Sequence, residues 1–587
     1  MTPRDTTRPV VRALLSVYDK SGLVEFGRGL AELGVELVAS GGTAAALSDA
    51  GLSVTQVDAL TGSPEMLGGR VKTLHPKVHG GILARRDLEQ DRADLEAHSI
   101  ATIDLVICNL YPFEETLATP GATVQDIIEK IDIGGPSMLR SGAKNHADVA
   151  VVVSPSDYPV VLEELGEKGG LSDDTRRRLA LEAFRRTAAY DAAIQAWLAE
   201  QVGETTKEGR RPFPATLLTG LPRKATLRYG ENPHQQAALY GSFLDTIAEQ
   251  LHGKQLSFNN LVDVQAALAL IIDFPLEAAE ATVGILKHNT PCGVGSGDTP
   301  LEAYQRAFET DPESPFGGII VCNRPFDLAL ATEADKIFTE VLVAPSFSDE
   351  ALALLRKKKN RRLLAFDRDE IDNQQFEWKR IYGGVLLQDP DSALEDLAAA
   401  EVVTQSRPTP EHLRALEFAW RVVKHVKSNA VVFGAEGRTL AVGGGCTSRV
   451  DAVHAAAAKA ARTGISLEGS VLASDAFFPF PDGLETAVEA GARAVIQPGG
   501  SNRDEQVIEA ADRLGISMVF TGVRHFRHKR PQGGDTCASW LLARQVVSTP
   551  WRGRSRAAHG SRKSSPPRAT QAWRSARAVS QRSLRPI

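Results

Sequence analysis

The first 155 residues alternate short apolar runs with amphipathic stretches, and this alternation most constrains what the chain can become. Ala13–Val17 is a strand-length apolar run, and Leu23, Phe26, Leu30 and Leu33 recur at helical spacing. Val35–Val38 reads as a strand leading into Ser40-Gly41-Gly42-Thr43, and strand-like runs return at Ile103–Leu110 and Val149–Val153. Strands separated by helices line up in parallel, with the helices covering the sheet faces. Residues 171–202 read as a helix whose core positions are Leu179, Phe184, Ile194 and Trp197. Gly203–Leu221 is richer in Gly, Pro, Thr and charge and reads as a linker, with the boundary near 205–215.

From Thr226 to His528, Gly-rich turns separate further apolar strands. That length implies two α/β subdomains, and no short-period repeat of a solenoid or propeller is visible. The net charge of −6 hides a basic tail, residues 529–587, with eleven Arg and two Lys against one acid, Asp535. The remaining body is acidic, which argues against nucleic-acid or membrane partners. The tail itself, rich in Arg, Ser and Pro, reads as disordered: a solvated extension or a gene-end artefact rather than a nucleic-acid site. Five scattered cysteines make no disulfide framework, and no apolar run approaches membrane-span length, so the expected location is the cytoplasm.

Ser40, Gly41, Gly42 and Thr43 stand between a strand and a helix, where backbone N–H groups and the helix dipole favour an anion. The alternative is a plain turn capped by Thr43. Arg70, Lys72 and Thr73 add two cations and a hydroxyl suited to phosphate or base contacts. His75 and His79 are four apart, but Pro76 between them argues against a metal pair on one helix face. Tyr111, Asp132 and Lys144 form a candidate acid/base or oxyanion set.

In the second region, Lys287-His288 follows the strand-like Val283–Leu286, a pair suited to proton transfer. Pro291-Cys292 lacks the second cysteine and the His-x-Glu of a zinc deaminase, so no metal is expected there. Gly443–Gly445 has the look of a phosphate loop, and Phe477, Phe478 and Phe480 are core residues or a stacking wall.

Several segments are specific enough to carry a resemblance: ALLSVYDKSGL, VKTLHPKVHGGILARR, CNLYPF and IDIGGPSMLRSGAKNH in the first region, and LRYGENPHQ, KHNTPCG, SPFGG and SDAFFPF in the second. From about residue 12 to His528 the chain resembles the bifunctional family that joins an aminoimidazole carboxamide ribonucleotide formyltransferase to an IMP cyclohydrolase. The resemblance implies an α/β fold: a methylglyoxal-synthase-like parallel-sheet domain (1–205, core 12–155), then two cytidine-deaminase-like subdomains without zinc (206–528). It implies the last two steps of IMP synthesis, with 10-formyltetrahydrofolate as cosubstrate, no tightly bound cofactor, and a homodimer whose formyltransferase sites straddle the subunits. By motif match, Lys287 and His288 transfer protons and Asn429 orients or polarises the formyl group; Lys72, Tyr111, Asp132 and Lys144 serve ring closure. Substrate contacts fall to Ser16, Lys20, Ser40, Gly41, Gly42, Thr43, Arg70, Thr73, Asn109, Gly134 and Asn145 in the first region. In the second they fall to Arg228, Tyr229, Asn260, Gly317, Ser448, Arg449, Phe477 and Arg524. The chain departs from the family in Asn289-Thr290-Pro291-Cys292-Gly293, where N-P-C-G is usual after Lys-His-x, by Cys446 where Gln is usual, and by residues 529–587.

Overall fold

The computed structural model describes residues 7–67, 70–202, 213–275, 280–371, 376–394, 397 and 400–528. The basic tail and most of the expected linker fall outside these residues. In the first region five strands, β1 (Arg12–Ser16), β2 (Glu36–Ala39), β3 (Val54–Gln56), β4 (Leu105–Cys108) and β5 (Ala150–Val152), form a sheet of order β3-β2-β1-β4-β5. Every neighbouring pair is parallel. Strand order reverses at β1/β4, the place where open α/β sheets leave a crevice at the carboxyl ends. One sheet face buries Leu15, Leu37 and Ile107 against Leu23, Phe26 and Leu30 of the Leu23–Glu32 helix. The other packs Leu14, Val38 and Val106 against the Gly134–Lys144 helix and Trp197 of the Asp173–Gln201 helix. Leu33 lies past its helix end and Phe184 is 39% exposed, so neither is core.

A ribbon, β6 (Arg223–Leu227) with β7 (Ala237–Tyr240), opens the second region. Its main sheet starts with β8 (Ala248–His252), β9 (Ala281–Lys287), β10 (Thr290–Gly297), β11 (Gly318–Cys322), β12 (Thr339–Ala344) and β13 (Arg362–Phe366). A separate hairpin, β14 (Glu377–Ile381) with β15 (Gly384–Gln388), is followed by β16 (Glu401–Val402), β17 (Val431–Ala435), β18 (Arg438–Gly443), β19 (Val471–Ser474), β20 (Ala494–Gln497) and β21 (Ser517–Phe520).

The main sheet runs β16-β21-β20-β19-β17-β18-β10-β9-β11-β12-β13-β8 and contains one design twice. Each half has a helix (Phe258–Ile271, then Pro410–Val423), an antiparallel hairpin (β9–β10, then β17–β18), a helix (Pro300–Thr310, then Arg449–Thr463) and three mutually parallel strands. The halves join edge to edge where β10 meets β18, at Gly295 opposite Arg438. Val264, Leu268, Leu416 and Trp420 from the two leading helices share one core over that seam. Glycine in β10 and β18 is required by packing. A Cβ on Gly293 would sit 2.0 Å from Ala307 O, and one on Gly443 2.1 Å from Ala452 O. Gly443 and Gly444 are therefore close-packing residues, a Cβ on Gly444 falling 2.4 Å from Val426, while Gly445 is left-handed (φ +71°) and its N donates to Lys427 O at 2.6 Å.

Candidate active sites

The first candidate centre lies at the carboxyl ends of β1, β2 and β4. Ser16 and Ser40 hydroxyls stand 3.3 Å apart. The helix Gly41–Asp49 is capped by position at Ser40, whose side chain makes no bond to the helix N–H groups. Thr43 is not the cap: its hydroxyl accepts from Val17 N at 3.0 Å and donates to Val17 O at 3.1 Å. Thr43 N donates to Ser40 O at 3.1 Å, which leaves the Gly41 and Gly42 N–H groups for an anion. Two ammonium groups converge on the same turn. A Cβ on Gly41 would be 3.1 Å from Lys72 Nζ, and one on Gly42 3.8 Å from Lys20 Nζ.

Asp132 borders this turn. Its carboxylate accepts from Gly135 N at 2.8 Å. The Tyr190 hydroxyl fixes the chain beside it, accepting from Asp132 N at 2.8 Å and donating to Lys130 O at 2.6 Å. Burial raises the Asp132 pKa, opposed by backbone donors and by Lys72. Burial also raises the Tyr111 phenol, with Asp132 adding to the shift. The buried Thr73 hydroxyl lies 2.9 Å from where a Cβ on Gly134 would be. Lys72, Thr73, Tyr111, Asp132 and Gly134 are therefore gathered together.

Other expected residues are placed elsewhere. Lys144 ends the Gly134–Lys144 helix, exposed and about 15 Å from Gly134 at 1.5 Å per residue. Asn145 is buried and donates to Ile82 O (2.8 Å) and Ala84 O (3.0 Å), a structural tie. Arg70 pairs with Glu129. Asn109 accepts from Tyr18 N (2.6 Å) and Asp19 N (2.9 Å), fixing the loop that carries Lys20. His75 caps the Pro76–Leu83 helix through Lys77 N at 3.1 Å. A cavity of about 610 Å³ adjoins this centre, lined by Tyr18, Lys20, Asn109, Glu114 and Arg186 among others. Tyr18 sat within the opening motif; the Glu114–Arg186 pair, 2.7 and 3.2 Å, had no sequence signal.

The second candidate centre lies beside the seam. Lys287 ends β9 and donates to Phe316 O at 2.8 Å, next to Gly317, whose φ is +76°. His288 and Asn289 form the β9–β10 turn. Across the seam, Lys427 Nζ donates to His288 O at 2.8 Å. Lys427 immediately precedes Ser428-Asn429, so one contact draws Lys287, His288 and Asn429 to the same cleft. Asn429 is held tightly: Nδ2 donates to Cys446 O (3.2 Å) and Thr447 O (3.1 Å), and Oδ1 accepts from Arg449 Nη2 at 3.0 Å.

Arg449 is itself buried, donating to Asp475 Oδ1 at 2.6 Å and Ser474 Oγ at 2.7 Å. Ser448 caps the helix that follows, accepting from Asp451 N at 3.1 Å. Asn260 likewise completes a capping box with Ser257. These three expected substrate contacts are occupied within the chain. Arg228 is exposed and lies over the Tyr229 ring, donating to its hydroxyl at 2.9 Å. Phe477 is half-buried, Phe478 is core, and Phe480 is 47% exposed beneath the Arg503 guanidinium. Arg524 is exposed, over the Phe526 ring. Sequence reasoning missed Asp263 and Lys427 and saw Asp475 only as part of the SDAFFPF motif; all three act through partners distant in the chain.

Neither centre duplicates the other, and the fold serves an α/β enzyme with two separate chemical steps. Residues 142–459 match the AICARFT/IMPCHase bienzyme family, and residues 22–137 match the MGS-like domain. The bifunctional purine biosynthesis protein PurH of Chloroflexus aurantiacus is 52% identical over 521 residues, 88% of this chain and 99% of that protein. The solved structure of ForH is 41% identical over 32% of this chain and 97% of its own, at a TM-score of 0.29. Methylglyoxal synthase from Elizabethkingia anophelis is 19% identical over 27% of this chain and 82% of its own, at 0.14. The chain belongs to the AICARFT/IMPCHase bienzyme family. It is a bifunctional purine-biosynthesis enzyme that uses 10-formyltetrahydrofolate to formylate the aminoimidazole carboxamide ribonucleotide and then closes the ring to IMP.

Proposed function

We propose that formyl transfer takes place in the cleft at the β10–β18 seam and ring closure at the carboxyl ends of β1, β2 and β4. The observation that carries the first assignment is the 2.8 Å contact of Lys427 with His288 O, which brings the Lys-His turn to the Asn429 loop. The substrate amine is a weak nucleophile, its lone pair delocalised toward the carboxamide. As it attacks the formyl carbon, His288 takes its proton; Lys287 protonates the departing folate nitrogen as the old C–N bond breaks. Asn429, already ordered by four polar contacts, orients the formyl group.

For ring closure, Lys20, Lys72 and the Gly41 turn hold the nucleotide phosphate. Asp132, Tyr111 and Lys72 manage the protons as the carboxamide nitrogen attacks the formyl carbon and water leaves. Lys144 lies outside this group within one chain, so any part it plays reaches the centre from elsewhere. The domains are read as 1–205 and 206–528, the second made of two subdomains of cytidine-deaminase type.

The homodimer is part of the same reading. A two-stranded hairpin is marginal alone in water, and β14–β15 exposes Trp378, Ile381, Tyr382 (96%), Val385 and Leu386, apolar surface suited to a second copy. A cytoplasmic location accords with the free Cys108, Cys292, Cys322 and Cys446, and among the described residues no helix is long and apolar enough to cross a membrane. The test of the two-centre assignment is to supply the aminoimidazole carboxamide ribonucleotide with 10-formyltetrahydrofolate and follow tetrahydrofolate and IMP. Lys287→Ala abolishes tetrahydrofolate release yet leaves cyclisation of supplied formylated nucleotide intact; equal loss of both refutes the assignment.

A further inference from the structure

The β9–β10 connection is a two-residue turn in which both central residues, His288 (φ +52°) and Asn289 (φ +62°), are left-handed. Such turns match the twist of a hairpin, but they favour Gly, Asn and Asp at both positions. Asn289 fits; His288, of a type also enriched at positive φ, still bears a cost there that glycine would not. A strained residue persists only where its surroundings hold it, and such residues gather at functional sites.

Two charged side chains do the holding, from opposite sides of the seam. Asp263, half-buried on the Phe258–Ile271 helix, accepts from Asn289 N at 2.7 Å. Lys427, from the second half, donates to His288 O at 2.8 Å. Each group also feels the other's side of the turn: burial raises the Asp263 pKa, while Asn289 N–H, His288 and Lys427 oppose the rise. The turn is thus gripped at one N–H and one C=O by opposite charges, and the Lys427 grip ties it to the neighbouring Asn429 loop.

We propose that Asp263 and Lys427 are positioning residues for formyl transfer, holding the β9–β10 turn so that Lys287 and His288 face the Asn429 loop. The proposal rests on the assignment of proton transfer to Lys287 and His288. In the full-length enzyme, Asp263→Ala is expected to lower kcat for formyl transfer about 10²-fold, the scale of a small misplacement of catalytic groups. KM for both substrates stays unchanged, as does cyclisation of supplied formylated nucleotide. Asp263→Asn keeps an acceptor for Asn289 N–H and restores most of kcat. Lys427→Met, which removes the ammonium from a half-exposed side chain of similar length, lowers kcat in the same way, and Lys427→Arg recovers part of it. Parental kcat in Asp263→Ala and Lys427→Met, an Asn variant no better than Ala, or a loss confined to KM overturns the proposal. His288→Ala separates the two claims. If it still transfers formyl groups, the underlying assignment fails; if it is inactive while both clamp variants keep parental kcat, only the clamp fails.

Discussion

In the first region Ser16, the Gly41 turn and Asn109 follow neighbouring strands of one parallel sheet, and Lys72, Thr73 and Asp132 join them from the connections that lead into two of its helices, so backbone order collects the groups at the β1/β4 reversal. In the second, the equivalent place lies between two copies of one design, and its groups must be drawn across the β10–β18 seam by side-chain contacts. The difference is one of what maintains the geometry. Backbone order sets the Gly41 turn, Thr73 and Asp132. Buried ion pairs and charged clamps set Lys287, His288 and Asn429. Disrupting a side chain should therefore harm the second centre more than the first.

The largest expected effect is at Arg449. Its guanidinium is buried with the fully buried Asp475, and it also holds Asn429. Arg449→Met leaves Asp475 as an uncompensated buried carboxylate, a loss of about 3–5 kcal/mol. Unfolding followed at Trp420 should move to markedly lower temperature, formyl transfer should vanish, and cyclisation should survive. If Asn429-dependent activity persists at a near-parental melting temperature, the second centre does not depend on its ion pair.

Acid should separate the regions next. The imidazole of His425 is buried, its Nε2 2.6 Å from Asp273 Oδ2, and burial pushes its pKa down to about 4 from 6.5, against the pull of Asp273. A depressed histidine contributes stability that is present above pH 6.5 and lost as pH falls toward 4, about 3 kcal/mol in all. Asp132 in the first region runs the other way. Its raised pKa gives stability at low pH that is lost as pH rises through the raised value. Acid should thus unfold the region around Trp420 before that around Trp197, and His425→Gln should narrow the gap. Simultaneous loss, or a gap left unchanged by the substitution, would contradict this.

A smaller effect probes the first region's reliance on backbone. Gly41 has φ +50°, and a Cβ there would press on Lys72 Nζ at 3.1 Å. Gly41→Ala costs about 1–2 kcal/mol of left-handed strain. Ring closure should lose about tenfold in kcat/KM, since 1.36 kcal/mol is tenfold, with formyl transfer untouched. A loss shared by both activities would place the turn outside the cyclisation centre.

The parallel sheet was legible because its strands are continuous apolar runs; Leu105–Cys108 is buried throughout. Phe184 was misread because helical spacing along a 29-residue helix does not say where the covered stretch ends; its ring instead meets the Arg140 guanidinium. Lys144 looked like a neighbour of Asp132 because the two share a motif, but a regular helix carries them apart. Two subdomains of one type were expected from length and from the family resemblance, but no repeat in the residues showed it, because the copies match in order of elements, not in short repeating residues. Ser448, Arg449 and Asn260 were visible as polar motif residues. Asp475 stood in the SDAFFPF motif, but its pairing with Arg449 was not visible, because the two come from different elements that only the packed second half brings together.

Cys446 gives the smallest and sharpest test of the comparison. The family's amide is missing there, and the cysteine thiol is half-buried with its pKa raised by burial. Yet what the position gives the cleft is its main chain: Cys446 O accepts from Asn429 N at 3.1 Å and from Nδ2 at 3.2 Å. Any residue supplies that carbonyl. Cys446→Gln should then change kcat/KM for formyl transfer by no more than about 0.5 kcal/mol, near twofold, as substitutions away from buried features usually do. A gain of tenfold or more, read as a fall in KM for the nucleotide, would mean that the side chain reaches substrate and that backbone matters less at this centre than its hydrogen bonds indicate.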